Sequence, residues 1–125
     1  EFLHWSELHG EPGRFAMDLA MSGSGPQIEL IQPLAGPSIY HEFLDSGRVG
    51  LHHLGVFVDD LDQAIAIMAE AGYIVTQTAR GYGQNGDGGF AYFDTERDLH
   101  VVIEAIEIPS QRRPGTIRRT GESAQ

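Results

Sequence analysis

Apolar and polar residues alternate along much of this chain, and at a few marked places the period changes from two to about 3.6. "RFAMDLAM" sets Phe15, Met17, Leu19 and Met21 against Ala16, Asp18 and Ala20, the alternation of a strand with one apolar face. "SGSG" after it predicts a hairpin turn. "PQIELIQP" predicts the return strand, bounded by prolines, which suit strand ends. In it Glu29 shares a face with Gln27 and Ile31. Ahead of this pair, "EFLHWSELHG" predicts a strand followed by a turn at "GEPG". Behind it, "SIYHEFLDSG" predicts a short helix with Ser38 as N-cap and Gly47 just past its end.

The second half is patterned more sharply. Residues 51–58 predict a strand. Asp60 and Gln63 have the spacing of a capping box in its aspartate form. Leu61, Ala64, Ile65, Met68 and Ala69 then recur at i, i+3, i+4, i+7 and i+8, a helix with one apolar stripe that Gly72 stops. "YIVTQTA" predicts a strand, "RGYGQNGDG" a long glycine-rich loop, "GFAYFDT" a strand, "ERD" a turn and "LHVVIEAIE" a last strand. The order over 51–108 is β-α-β-β-β, and three strands precede it over 1–33.

Composition narrows the chemistry. The chain has 125 residues, one domain's worth and enough to bury a core. It contains no cysteine, which removes disulfides, thiolate metal sites and cysteine nucleophiles. It contains no lysine, all eight basic residues are arginines, and Asn85 is the one asparagine, a bias that points to a GC-rich, bacterial genome. Residues 112–125 hold four arginines against Glu122, a net of +3, which leaves −13 on residues 1–111 of the overall −10. An acidic body repels nucleic acid and anionic membranes. No apolar run approaches the ~20 residues of a membrane span and no signal-peptide pattern opens the chain. The expectation is a cytoplasmic protein without nucleic-acid or membrane partners. The tail is expected to be flexible, or an arm onto a neighbouring subunit.

"GYGQNG" (81–86) matches a dinucleotide fingerprint literally, but a strand follows it where that motif needs a helix, so phosphates would have no helix N-terminus to sit on. It is read as a mobile loop, a lid over a cavity, with Tyr82, Gln84 and Tyr92 as candidates to line the pocket. There is no G-x-S-x-G turn to support a serine nucleophile. His52 and His53 are neighbours on a strand, so one faces each way, and periodicity does not decide which face is wet. An isolated strand histidine is usually a hydrogen-bonded core or edge residue. Glu29 and Glu104, however, each interrupt an otherwise apolar strand, and a carboxylate is costly to bury unless paired or bound to a metal. Three such residues on three strands carry more weight than any one.

"GLHHLGVFVDDLDQAIAIMAEAGY", "GGFAYFDT" and "LHVVIEAIEIP" together resemble the vicinal oxygen chelate superfamily, which includes glyoxalase I, methylmalonyl-CoA epimerase, extradiol dioxygenases and bleomycin-resistance proteins. The likeness runs from about residue 13 to 109 and is nearest to the methylmalonyl-CoA epimerases, where strands and helices like "PQIELIQPL", "SIYHEFLDSG" and "GLHHLGVFVDDL" come in this order. The resemblance implies an α+β fold of paired βαβββ modules, a curved mixed sheet around a divalent metal. Residues 1–49 would be a partial first module with its connecting helix, 50–109 a complete second module, and 110–125 a basic tail. Carried over by position, Glu29, His53 and Glu104 match metal ligands, with His53 facing the cavity and His52 the other side of the sheet. The resemblance also implies a first strand and helix ahead of "FLHWSELHG", carrying a fourth ligand. His4 and His9 come too late to match it.

The expected function is a divalent-metal-dependent isomerase, epimerase or lyase. Its substrate would be a small carbonyl compound or an acyl-CoA thioester, reacting through a metal-stabilised enolate. Glu104 or Asp18 would move the proton. One imidazole with two carboxylates is oxygen-rich and favours Mn²⁺, Co²⁺, Mg²⁺ or Fe²⁺ over structural zinc. The alternative is a metal-free protein that sequesters an antibiotic-like compound, toward which the acidic body leans by favouring a cationic ligand. The three ligand atoms should converge to within about 5 Å of each other, given metal–ligand bonds of about 2.0–2.2 Å. With no helix to cover Phe15, Met17, Leu19 and Met21, the chain is expected to pair as a two-fold homodimer.

Overall fold

Eight strands and three helices are formed over residues 5–114, the part of the chain that the computed structural model describes. In order they are β1 (Trp5–Leu8), β2 (Glu11–Pro12), β3 (Ala16–Ser22), β4 (Ile28–Ala35), α1 (Ile39–Asp45), β5 (His53–Phe57), α2 (Leu61–Glu70), β6 (Val75–Tyr82), β7 (Gly88–Phe93), α3 (Glu96–Leu99) and β8 (Val102–Glu107). The main sheet runs β2-β1-β6-β7-β8-β5, and β3 and β4 form a separate hairpin ladder. β5 lies parallel to β8 and the other neighbours are antiparallel. The mixed α+β architecture and the β-α-β-β-β order of the second half are those expected from the pattern. The basic stretch from residue 115 onward, and His4, lie outside the described residues.

β7 is buried along its whole length, because it is apolar on both faces and each face meets a different layer. Phe90 and Tyr92 pack with Ile39 and Tyr40 of α1, Ala79 of β6 and Val102 of β8. Ala91 and Phe93, on the opposite face, pack with Leu61 of α2 and Ala105 of β8. A bulge in β6 sets Val75 opposite Phe93 but Gln77 opposite Tyr92. The extra residue flips the parity, so Val75 faces α2 while Gln77 and Ala79 face α1. α2 begins as its sequence predicts: Asp60 caps it by accepting from the Gln63 N–H at 3.0 Å. Its stripe of Leu61, Ala64, Ile65 and Met68 lies on the sheet.

The structure revises four local expectations. The first turn falls at His9–Gly10, with φ of 50° and 80°, and not at "GEPG". Two consecutive left-handed residues make the tight connection that a right-twisted hairpin favours. β4 runs through Pro33 to Ala35, which a ladder of only two strands permits, since a residue without an N–H can sit on an unpaired edge. β6 runs on to Tyr82, so the glycine-rich loop is shorter than expected. That loop is tied to the segment after β8. The Gln84 N–H donates to Gln111 O at 2.8 Å, Asn85 to Ser110 Oγ at 2.9 Å, and the Ser110 N–H to the Asp87 carboxylate at 3.2 Å. Finally, the face of the hairpin that carries Met17 is covered only at one end: Leu19 and Met21 on it stay exposed at 46% and 48%. Phe15, Met17 and Ile31 pack against the α1 side of the main sheet. Ile28, Leu30 and Leu34, on the other face of β4, are exposed.

Leu61 is fully enclosed between α2 and the sheet. Truncating it removes its contacts and leaves a cavity, so Leu61→Ala is expected to lower the free energy of unfolding by about 3 kcal/mol in urea melts. Ile67 on the outer face of the same helix is 58% exposed, and Ile67→Ala should stay within about 0.5 kcal/mol of the parent. Equal effects from the two would contradict this placement of the helix.

Candidate metal centre

Glu29 comes from β4, His53 opens β5, and Glu104 sits in β8. Their ligand atoms all lie within 4.8 Å of one another. His53 Nε2 stands 3.2 Å from Glu29 Oε1 and 3.4 Å from Glu104 Oε2. Two ligands at right angles on bonds of about 2.1 Å stand about 3 Å apart, so these spacings suit neighbouring positions around one ion. Register explains the meeting. In the parallel β5–β8 pair, His53 lies beside Val102 and Gly55 beside Glu104, so His53, Gly55 and Glu104 share a face. Gly55 leaves the room: a Cβ there would stand 2.9 Å from Ile106 Cδ1 and 3.3 Å from Glu104 Oε2. Glu29 reaches the same point because its face of the hairpin, shared with Met17 and Ile31 through the β3–β4 register, is the face that packs on the sheet.

The centre is close to dry at its deepest member. Glu104 is 6% exposed. Burial pushes its carboxyl up to about 7, with the nearby His53 pulling down, Glu29 pushing up, and a hydrogen bond from the Tyr92 hydroxyl pulling down. Tyr92 in turn shares a 2.8 Å hydrogen bond with the Tyr40 hydroxyl, and burial raises both phenols above their usual range. Behind Tyr40 lies Gln77, fully buried, whose Oε1 accepts from the Ile39 N–H at 3.0 Å. Its Nε2 has no hydrogen-bond partner of full geometry among the described residues, and the amide acts on the Tyr40 hydroxyl. A buried carboxylate facing one imidazole, with a second carboxylate opposite, is a donor set that a divalent cation fits.

His52 departs from expectation. It lies just before the first residue of β5, where strand alternation no longer holds, and its ring turns to the same side as that of His53. The two Nδ1 atoms are 3.0 Å apart. The His52 ring packs edge-on against Phe43 at 5.0 Å, Tyr40 at 5.8 Å and His53 at 5.2 Å. Burial holds its pKa down at about 4, with His53 and Arg48 acting in the same sense. Arg48, stacked over Phe43 at 4.7 Å and paired with Glu96, fastens the connection between α1 and β5.

The remaining candidates separate. Tyr92 belongs to the centre, its ring 5.1 Å from that of His53. Asp18 lies opposite Gln32, one residue out of phase with the Met21–Glu29 and Leu19–Ile31 pairs, and so faces away from Glu29. The Tyr82 hydroxyl donates to the Gly89 and Glu107 carbonyls at 3.2 Å, a structural role. Gln84 donates to Arg112 O at 3.0 Å. Its loop leaves the ladder beyond Gly89–Glu107, three residues along from the Tyr92–Glu104 pair, and its bonds run to the following segment and not across the centre. Tyr40 and Gln77 were not signalled by the sequence, and His52 was signalled but assigned to the wrong side of the sheet. A buried phenol or amide demands a partner, but which one depends on chain segments far apart.

The raised Glu104 pKa has a signed consequence. Between about 4.5 and about 7 the folded metal-free protein holds a proton on Glu104 that the unfolded chain has released. Stability therefore falls as pH rises through that window. His52 acts the other way between about 4 and 6.5, so the test compares variants at each pH. Relative to the parent, Glu104→Gln is expected to gain up to about 3 kcal/mol in urea unfolding between pH 5 and pH 7.5. A difference that does not change with pH would show that this carboxyl is not held protonated by its burial.

No helix among the described residues is long and apolar enough to cross a membrane. No curated protein matches the chain. A sequence model of the Glyoxalase/Bleomycin resistance protein/Dioxygenase superfamily matches residues 2–93, a stretch that takes in Glu29, His53 and the whole Tyr40–Tyr92 contact, while Glu104 enters the centre by its geometry. With most of its length matched and a Glu–His–Glu centre held between a hairpin and a mixed sheet, the chain belongs to the glyoxalase/bleomycin resistance/dioxygenase superfamily, the vicinal oxygen chelate group that its motifs resemble.

Proposed function

We propose that this protein is a divalent-metal-dependent isomerase, epimerase or lyase that moves a proton next to a carbonyl, on a small carbonyl compound or an acyl-CoA thioester. The observation that carries the reading is the convergence of Glu29, His53 and Glu104 from three strands of two separate sheets. These residues would hold the ion, with oxygen donors favouring Mn²⁺, Co²⁺, Mg²⁺ or Fe²⁺. A bound ion supplies Lewis acidity toward a substrate oxygen. The chain's own residues supply the rest. Glu104, whose carboxyl burial raises in the metal-free protein, would accept or return a proton at the substrate's α-carbon. Tyr92 orients it by hydrogen bonding. The buried Tyr40, Phe90 and Val102 side chains pack with Tyr92 and keep that side of the centre dry. Asp18 faces away from Glu29 and is not assigned a part. The methylmalonyl-CoA epimerase likeness favours a thioester among the candidate substrates.

Titration calorimetry on untagged protein tests the metal directly. The parent is expected to bind one Mn²⁺ or Co²⁺ per chain, more tightly at pH 8 than at pH 6 because Glu104 must release its proton. His53→Ala and Glu104→Ala should each lose at least tenfold in affinity. Deuterium uptake from D₂O at the α-carbon of acyl-CoA thioesters, followed by NMR with and without metal, reads the reaction class. Absence of metal binding by the parent would favour the sequestering role instead.

The assembly proposed is a two-fold homodimer. Among the described residues β4 pairs only with β3 and β5 only with β8, and Ile28, Leu30, Leu34, Leu54 and Val56 on these strands are exposed. Open edges beside apolar faces favour association. Light scattering is expected to give twice the chain mass at micromolar concentration. A folded monomer there would refute the dimer.

A further inference from the structure

We propose that His52 is a positioning residue for the metal centre: its Nδ1 accepts the Nδ1–H of His53 and so commits His53 Nε2 to the ion. The inference rests on the metal reading above and names a residue that reading does not use. The two Nδ1 atoms stand 3.0 Å apart. A hydrogen bond between two ring nitrogens needs a proton on one and a lone pair on the other. His53 Nε2 faces both carboxylates, and a nitrogen that binds a cation there carries no proton, so the proton of a neutral His53 sits on Nδ1. His52 Nδ1 is then the acceptor. A ligating histidine ordinarily donates its second N–H to a carboxylate, carbonyl or water, which fixes its tautomer and ring orientation. Here another imidazole fills that place.

The surroundings fix the acceptor as firmly as the ligand. The His52 carbonyl accepts from the Val102 N–H at 3.2 Å, which ties its backbone to β8. Its ring is enclosed by Phe43, Tyr40 and Tyr92 at centroid distances of 5.0, 5.8 and 6.2 Å. The placement depends on His52 preceding the strand. Were His52 itself part of the strand, alternation would point it to the α2 side.

The test measures Mn²⁺ affinity by calorimetry for the parent, His52→Phe and His52→Asn, with a thermal melt of each metal-free protein. Phe keeps the ring packing and removes the acceptor. Asn restores an acceptor, since its Oδ1 takes the place of Nδ1. His52→Phe is expected to weaken binding about 10- to 100-fold, and His52→Asn to recover most of that loss. His52→Phe within threefold of the parent overturns the inference and leaves the metal reading standing, as does an equal loss in both variants. A parent that binds no Mn²⁺ overturns the metal reading and this inference with it. Should His52→Phe fail to fold, long-range ¹H–¹⁵N NMR of the parent loaded with Zn²⁺ decides. A proton on His53 Nδ1 with Nε2 metal-bound supports the assignment, and metal on Nδ1 overturns it.

Discussion

A carboxylate held almost out of water is the constraint around which this molecule is arranged. Glu104 sits in the middle of β8 with its oxygens against His53, and leaving such a group unpaired costs several kcal/mol (roughly 3–5 when one partner of a buried pair is lost). The fold meets that cost from three directions. β5 supplies the imidazole and, at Gly55, the space beside it. β7 supplies the Tyr92 hydroxyl. The β3–β4 hairpin, which among the described residues shares no ladder with the main sheet, supplies a second carboxylate, which a proton on Glu104 or a cation would reconcile with the first. A centre built this way is strained toward binding: without an ion, two acids compete for one histidine.

The same arrangement ties site to core. Tyr92 is at once a core residue packed with Phe90 and Ile39 and the donor to Glu104. Its phenol bonds that of Tyr40 in α1, and the Gln77 oxygen holds the first N–H of the same helix. The helix start, the bulge in β6 that turns Gln77 inward and the side chains around Glu104 therefore meet in one packed region. Polar groups buried together stiffen a site when satisfied and fail together when a member is lost. Preorganisation of the donors before any ion arrives is the functional return.

His52 shows how close such a centre comes to a different design. Strand alternation would send it to the α2 side, away from His53. It escapes because β5 begins one residue later, and the aromatic rings of α1 and β7 then enclose it. Two consecutive histidines thus serve one face, the first through the second. The boundary of a strand, moved by one residue, changes what a side chain can do.

The sequence by itself determined the elements whose causes are local. The helix of residues 61–70 was legible because capping and a 3.6-residue period act within a few residues of one another, and the strands carrying Glu29, His53 and Glu104 because a charge inside an apolar alternation is visible without coordinates. Motif likeness went further and placed those three residues in one centre. Only the tertiary structure decided what depends on register and on contacts between distant segments. The β5–β8 pairing set Glu104 beside Gly55, the hairpin register turned Asp18 away from Glu29, and the packing of α1 on β7 brought Tyr40 to Tyr92 across 52 positions of chain. Of the expected uncovered face, Leu19 and Met21 are exposed while Phe15 and Met17 are packed, and Ile28, Leu30 and Leu34 on the other face are exposed too, since alternation says that a strand has two faces but not which part of each meets the sheet. A local pattern fixes the period of a chain; its phase against a partner is settled by where the partner lies.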